Sequence, residues 1–135
     1  MMPTEQSGTA AKARVLVVDD SSLVRLYYLN ALKNAGFEAE QAINGIEAIE
    51  KVLAGTYDLV IVDVNMPGMD GLSFIRDIRR RSESVATIPT LIITTEAGEQ
   101  DVADARSAGA NYYLVKPVSE RDLIRHVAAL AGAPP

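Results

Sequence analysis

The sequence predicts an α/β domain in which helices cover both faces of a parallel sheet. Short apolar runs, rich in valine and isoleucine and closed by polar or turn-forming residues, are typical of buried strands. Longer segments between them carry apolar residues at helical spacing. Buried strands that alternate with amphipathic helices are characteristic of parallel sheets, and this alternation occurs five times along the chain.

Each predicted strand is a short run that ends at polar or turn-forming residues. The five runs, in chain order, are Val15–Val18, 37–42, Leu59–Val62, Leu91–Ile93 and Tyr112–Val115. The second run alternates only weakly between apolar and polar residues, so we place it nearer an edge of the sheet. The others are continuous apolar runs, as expected of strands that are buried on both faces.

The segments that follow the strands predict five helices. Their expected starting points are Ser21 or Ser22, Asn44, Asp70, Gly98 and Ser119. Most of these residue types are preferred at helix N-termini, and Ser119 with Asp122 has the spacing of a capping arrangement. Gly36 and Gly55 end the first two helices, because glycine is common just after a helix C-terminus.

The composition excludes several classes of protein. The 135 residues suffice for one domain with a sizeable core. Without cysteine, the chain has neither a disulfide framework nor thiol chemistry. No apolar run reaches the length that spans a bilayer, and residues 1–12 lack the apolar region of a signal peptide. We therefore expect a cytoplasmic protein whose residues 1–12 form a flexible tail.

The charge of the chain argues against a nucleic-acid surface. The net charge is −5, whereas the phosphate backbone attracts clustered lysine and arginine. The basic cluster of the chain consists of Arg76, Arg79, Arg80 and Arg81. We interpret it as the solvated face and end of one helix.

Polar residues follow four of the predicted strands. They are Asp19 and Asp20, Asp63, Thr94 and Thr95, and Lys116. In a parallel sheet all carboxyl ends lie at one edge, where open α/β sheets bind their ligands. Each residue alone has an ordinary structural explanation, such as a helix cap or a surface charge. Their coincidence at one edge predicts a functional crevice.

The three acids of this crevice predict a divalent metal ion. Neighbouring carboxylates repel each other and retain protons unless a cation compensates their charge. Oxygen ligands without histidine or cysteine favour Mg²⁺ over zinc. Beside Mg²⁺ and Lys116, with the Thr94 hydroxyl nearby, the Asp63 carboxylate is suited to act as a nucleophile toward phosphorus.

Four motifs in this order carry a resemblance to a known family: VLVVDDS, DLVIVDVNMPGMDG, LIITTEA and YLVKP. Over residues 13–131 the chain resembles the receiver domain of two-component response regulators, most closely the single-domain, CheY-like regulators. The resemblance implies a flavodoxin-like (βα)5 doubly wound sandwich, with a five-stranded parallel sheet of order 2-1-3-4-5. Residues 132–135 would then be a short C-terminal tail.

The resemblance also implies which residues bind the phosphoryl group and the metal. Asp63 matches the aspartate that accepts the phosphoryl group. Asp20 matches the acid that ligates Mg²⁺ directly, and Asp19 matches its partner, which acts largely through water. Asn65 matches the position whose backbone carbonyl completes the metal shell.

Further residues match the parts that switch the domain. Thr94 matches the hydroxyl that bonds the phosphoryl group, and Lys116 matches the invariant lysine of the family. Tyr113 matches the aromatic residue that swings inward as Thr94 moves toward the phosphate. The peptide bond between Lys116 and Pro117 is cis in relatives.

One residue at the mouth of the crevice departs from the common pattern. Many receivers carry alanine or glycine just after the switch hydroxyl, where this chain has Thr95. A β-branched side chain there would narrow the access to Asp63 and slow both phosphorylation and hydrolysis. Asn65 and Glu96, which flank the path of the attacking water in relatives, are the types found in CheY and favour a short-lived phosphate.

The resemblance implies a phosphorylation switch. A sensor histidine kinase or phosphotransfer protein donates the phosphoryl group to Asp63, and the surface of the last two helices and last strand binds a downstream protein. We expect no catalysis beyond the chain's own phosphorylation and dephosphorylation, no direct nucleic-acid contact and no membrane insertion. Length favours a stand-alone regulator; the alternative is a receiver fragment of a larger regulator or hybrid kinase.

Two alternatives come from other functional classes. A phosphatase of the haloacid dehalogenase type also uses a strand-end aspartate and Mg²⁺, but it needs a second aspartate two residues later, where this chain has Asn65. A flavodoxin-like nucleotide or flavin binder cradles phosphate in loops of glycine, serine and threonine. An acidic crevice repels a bare phosphate instead.

Two leucines on the first helix predict a docking face. Leu26 and Leu29 lie off the predicted apolar stripe, beside the mouth of the crevice. Adjacent exposed leucines favour a contact with another protein. We interpret the pair as a contact for the kinase or phosphotransfer partner.

Overall fold

The computed structural model describes residues 12–132, so nearly all of the two predicted tails, 1–12 and 132–135, lies outside the described residues. The strands are β1 (Arg14–Val18), β2 (Glu38–Ala42), β3 (Leu59–Val62), β4 (Thr90–Thr94) and β5 (Tyr112–Val115). The main helices are α1 (Ser22–Asn34), α2 (Gly45–Ala54), α3 (Gly71–Arg79), α4 (Glu99–Ala108) and α5 (Glu120–Ala131). A four-residue helical turn, Glu83–Ala86, precedes β4. Every predicted strand and helix is present.

The five strands form one parallel sheet in the order β2-β1-β3-β4-β5. This is the order 2-1-3-4-5 that the resemblance implied, and it is confirmed. Val18, the last residue of β1, pairs with Val62, the last residue of β3. Because these strands end level with each other, Asp19 and Asp63 leave the sheet side by side.

The core consists of two apolar layers, one on each face of the sheet. Alternate strand residues such as Leu16, Val60 and Ile92 point toward α2, α3 and α4. Their neighbours, such as Val17 and Ile61, point toward α1 and α5. Burying one such side chain contributes roughly 1.5–3 kcal/mol, so both layers hold the carboxyl ends of the strands in a fixed register.

The helix starts confirm the expected capping. The side chains of Ser21, Asn44, Asp70 and Ser119 each accept a hydrogen bond from the backbone N–H three residues later. Of the two serines considered for α1, Ser21 is the cap. Such a bond stabilises a helix by about 1 kcal/mol. Ser21, Asp70 and Ser119 cap the helices that follow β1, β3 and β5, the strands that carry residues of the crevice.

The interpretation of the arginine cluster as fully solvated is wrong for Arg79. Its guanidinium donates hydrogen bonds to the carbonyls of Ile88 and Gly109 at 2.7 and 2.8 Å and to Asn111 Oδ1 at 2.8 Å. Arg79 ends α3, where its long side chain reaches the carbonyls of two neighbouring segments. Arg76, Arg80 and Arg81 are exposed, as expected.

The docking pair on α1 is also half wrong. Leu29 is 8% exposed and packs in the layer beneath α1 and α5, whereas Leu26 is 55% exposed. The buried stripe of α1 is wide enough to include both Tyr28 and Leu29. The exposed apolar residue that accompanies Leu26 is Leu23, at 78% exposure.

Candidate functional site

Lys116 joins two buried acids at the carboxyl edge of the sheet. Its Nζ donates to Asp63 Oδ2 at 2.6 Å and to Asp19 Oδ2 at 3.0 Å. The two aspartates are 7% and 2% exposed. Buried carboxylates are costly unless they are paired and hydrogen-bonded, and one ammonium group pairs with both of them.

The backbone holds the second oxygen of each buried carboxylate. Asp63 Oδ1 accepts from the backbone N–H of Asn65 at 3.1 Å. Asp19 Oδ1 accepts from the backbone N–H of Ser21 at 2.9 Å. Each carboxylate is therefore fixed by one loop amide and by Lys116, which orients both groups in the crevice.

The charges of this cluster perturb its titration. Burial raises the pKa of Asp19, against the opposing hydrogen bonds from Ser21 and Lys116. Burial alone would lower the pKa of Lys116, but its hydrogen bonds to Asp63 and Asp19 outweigh burial and raise that pKa above its ordinary value. Lys116 is thus a cation at neutral pH, and its positive charge can neutralise negative charge in the crevice.

Asp20 completes the acidic set from the surface. It is exposed, unlike its neighbour Asp19. Within residues 12–132, no three acidic, histidine or cysteine side chains form a preassembled metal cage. Mg²⁺ does not need one, because it keeps several waters and is commonly held by one or two carboxylates. The all-oxygen donor set of Asp19, Asp20 and Asp63 fits that ion.

Thr94 and Thr95 occupy opposite environments at the end of β4. Thr94 is fully buried, and its carbonyl accepts from the backbone N–H of Lys116 at 2.7 Å. Its hydroxyl accepts a long bond, 3.4 Å, from the backbone N–H of Glu96. Thr95 is exposed at the rim. The backbones of Thr94 and Lys116 are therefore hydrogen-bonded to each other, and the buried Thr94 hydroxyl has one long hydrogen bond, to the Glu96 amide.

Glu96 links Asn65 and Tyr113 across the mouth of the crevice. Asn65 Nδ2 donates to Glu96 Oε2 at 3.2 Å, and the Tyr113 hydroxyl donates to the Glu96 carbonyl at 2.7 Å. Tyr113 is partly buried and packs against the core layer of α2–α4. The loop after β3 is therefore bonded to the loop after β4, and the loop after β4 is bonded to β5. The Lys116–Pro117 peptide is cis, as the resemblance implied.

Two residues that contribute to the site were not singled out in the sequence. Gly71 packs so closely on the loop after β3 that a Cβ would lie 2.2 Å from the carbonyl oxygen of Asp63, so only glycine fits there. Arg25 on α1 donates to the carbonyl of Asp19 at 2.6 Å. A glycine after Asp70 resembles an ordinary turn, and an arginine one turn into a helix resembles an ordinary surface charge.

Comparison with known proteins identifies the class to which this fold and crevice belong. Residues 15–128 match the family model described as the response regulator receiver domain. The chain is 37% identical to the chemotaxis protein CheY-3 of Vibrio cholerae, over 82% of this chain and 85% of that protein. It is 40% identical to a gliding motility regulatory protein of Myxococcus xanthus, over 84% of this chain but 14% of that protein.

A solved structure agrees with these relatives. The chemotaxis protein CheY4 of Vibrio cholerae superimposes with a TM-score of 0.85 at 35% identity, covering 89% of this chain and 99% of that one. The chain belongs to the response regulator receiver domain family. It is a CheY-like receiver of two-component phosphorelay signalling, which argues against the phosphatase and flavin-binding alternatives.

Proposed function

We propose that Asp63 accepts a phosphoryl group from a sensor histidine kinase or phosphotransfer protein. The observation that carries the proposal is the Lys116 ammonium group, which pairs with both Asp63 and Asp19 at the carboxyl edge of the sheet. A buried carboxylate at that edge, oriented by a backbone amide and a lysine, is a positioned nucleophile. Family membership supports this assignment.

The proposed Mg²⁺ ligands are Asp19, Asp20, Asp63 and the backbone carbonyl of Asn65. When bound, Mg²⁺ supplies positive charge to the phosphoryl oxygens. An Asp63 carboxylate oxygen forms the new bond to phosphorus while the bond from phosphorus to the donor's leaving atom breaks. Lys116 then holds a phosphoryl oxygen instead of a bare carboxylate, and before the transfer its pKa lies above the ordinary value, so it enters the reaction as a cation at neutral pH.

The proposed switch is a change of partner for Thr94. Its hydroxyl exchanges the weak bond from the Glu96 amide for a bond to the phosphoryl group. Because the Tyr113 hydroxyl donates to the Glu96 carbonyl, a movement of the loop after β4 alters this hydrogen bond and with it the position of the Tyr113 side chain. The face of α4, β5 and α5 then differs between the two states, which is what a downstream protein needs in order to distinguish them.

The phosphorylation itself is directly testable. We expect the protein to gain the mass of one phosphoryl group when it is incubated with Mg²⁺ and acetyl phosphate, and to gain none when EDTA replaces Mg²⁺. Intact-mass spectrometry measures both reactions. Absence of any phosphorylated species, together with no beryllofluoride binding, would contradict the proposal.

Thr95→Ala is expected to speed phosphorylation by acetyl phosphate several-fold. Thr95 is exposed at the rim formed by the loop after β4, and removal of its branched side chain widens the access to Asp63. The rate of appearance of the phosphorylated mass measures the effect. Thr87→Ala, an exposed threonine remote from the crevice, is the matched control. An unchanged rate in Thr95→Ala would show that access is not limited there.

The docking face on α1 is proposed to consist of Leu23 and Leu26. Leu23 also lines a groove of about 380 Å³ between α1 and the loop after β5, and this groove reaches Lys116. Replacing both leucines by glutamate should reduce phosphotransfer from a kinase that phosphorylates the wild type at least tenfold, because charged groups cannot be buried against an apolar partner. Phosphorylation by acetyl phosphate should be unchanged.

A matched control for the docking face is available on α2. Ile46 and Leu53 are each 54% exposed, so replacing both by glutamate adds the same charge to a similar apolar surface. That variant should retain transfer from the kinase. Equal losses with the kinase and with acetyl phosphate in the α1 variant would mean that the change damages the crevice itself.

Two wider expectations belong to the same proposal. Receivers also occur within longer proteins, as the Myxococcus xanthus relative illustrates, so both the stand-alone and the multidomain forms are compatible with this domain.

Within residues 12–132, no helix has the length and apolar character needed to cross a membrane. We propose that the domain acts in the cytoplasm and catalyses only its own phosphorylation and dephosphorylation.

A further inference from the structure

Arg25 holds the peptide unit that joins the two adjacent acids of the crevice. Its Nη1 donates to the carbonyl of Asp19 at 2.6 Å, and its Nε donates to Gln41 Oε1 at 2.9 Å. The planar guanidinium presents these donors in a fixed arrangement. One side chain of α1 thereby connects the end of β1 to β2.

Asp20 is the acid whose position depends most on this contact. The carboxylate of Asp19 is already held by the Ser21 amide and by Lys116. The Asp20 side chain is exposed and makes no hydrogen bond to a protein group within residues 12–132. The position of the Asp20 carboxylate is therefore set by the Asp20 backbone. The Asp19 carbonyl and the Asp20 nitrogen belong to the same planar peptide unit, so a bond to that carbonyl also orients the Asp20 backbone.

We infer that Arg25 is a positioning residue of the Mg²⁺ site, because it fixes the Asp19–Asp20 peptide so that the Asp20 carboxylate faces the crevice. The inference rests on the proposed function, since it requires Mg²⁺ to bind there. Arg25 does not touch the metal. It acts through a backbone carbonyl, in the way that outer hydrogen bonds orient metal ligands in other sites.

The sign of the effect separates positioning from simple electrostatics. Arg25 is a cation close to a site for another cation, so its charge opposes Mg²⁺ binding. If charge were its main influence, replacement by a neutral residue would tighten Mg²⁺ binding. If Arg25 positions Asp20, the same replacement weakens binding despite the loss of repulsion.

The test compares Mg²⁺ dissociation constants by isothermal titration calorimetry. We expect Arg25→Gln to weaken Mg²⁺ binding about tenfold or more, the usual cost of removing a group that orients a metal ligand. Arg25→Lys keeps the charge but cannot bond both acceptors in the same geometry, so it should be intermediate. Arg80→Gln removes an equal charge from an exposed arginine at the other end of the domain and should leave the constant unchanged.

A variant of the neighbouring strand gives a second, milder test. Gln41→Ala removes the Nε partner and leaves every charge in place, and Gln41 is exposed, so the fold should tolerate it. We expect a smaller weakening of Mg²⁺ binding in the same direction. Mn²⁺ binding followed by electron paramagnetic resonance gives an independent reading for both variants.

The outcomes are separable. Tighter or unchanged Mg²⁺ binding in folded Arg25→Gln would overturn the inference and leave the proposed function intact. If Arg25→Gln does not fold, as judged by circular dichroism, Gln41→Ala decides, and an unchanged constant there overturns the inference. Failure of the wild type to bind Mg²⁺ would instead contradict the proposed function.

Discussion

Replacing Asp63 by asparagine is expected to abolish phosphorylation. The amide keeps the size of the side chain and an oxygen that can accept from Lys116, so the fold should persist. It removes the anionic oxygen that must form the bond to phosphorus. Incubation with Mg²⁺ and acetyl phosphate, followed by intact-mass spectrometry, should show one added phosphoryl group on the wild type and none on Asp63→Asn.

The matched control is Asp77→Asn on α3. Asp77 pairs with Arg81 on the surface, and such exposed ion pairs contribute little to stability. This variant loses one carboxylate remote from the crevice and should be phosphorylated like the wild type. If Asp63→Asn were phosphorylated to the normal yield, the assignment of Asp63 would be wrong and another carboxylate would be the acceptor.

The strands and helices were predictable because their signals are local, whereas the strand order came from the resemblance. The run Leu59–Val62 stops at Asp63 within the sequence itself, and the side chains that cap four of the main helices, such as Asn44 and Asp70, lie three residues before the amide that they accept from. Parallel pairing then brings the strand ends to one edge without further information. The positions at which the strands end therefore predicted which strand-end polar residues line the crevice.

The bonding within the crevice was not predictable from the same signals. Lys116 meets Asp19 and Asp63 across 97 and 53 residues of sequence, and nothing local specifies that one ammonium group pairs with both. The errors on helices have a related origin. Helical spacing alone does not fix the width of a buried stripe, so Leu29 was placed outside it, and it does not show the carbonyls within reach of Arg79.

Replacing Lys116 by methionine is expected to have the second large effect, on stability as well as on phosphorylation. Methionine keeps an unbranched chain of similar length, but Asp19 and Asp63 lose their shared cation. Breaking a buried ion pair by removing one partner costs about 3–5 kcal/mol, which corresponds to a fall in Tm on the order of 10 °C. Urea and thermal unfolding at neutral pH without Mg²⁺ measure this loss.

The pH dependence of the loss has a defined sign. Burial already raises the pKa of Asp19, and Lys116 opposes that rise. Without the lysine the pKa of Asp19 rises further, so the folded variant takes up a proton more readily than the unfolded chain. The difference in the free energy of unfolding between Lys116→Met and the wild type should therefore shrink as the pH falls from neutral toward mildly acidic values.

Mg²⁺ should also restore stability to Lys116→Met more than to the wild type. An ion that binds only the folded state stabilises it, and the variant presents the same carboxylates without a competing ammonium group. Lys33→Met, at the exposed end of α1, removes an equal charge far from the acids and should change neither the stability nor its response to Mg²⁺. If Lys116→Met unfolds like the wild type at neutral pH, the lysine does not compensate the buried acids, and the electrostatic basis of the proposed site is wrong.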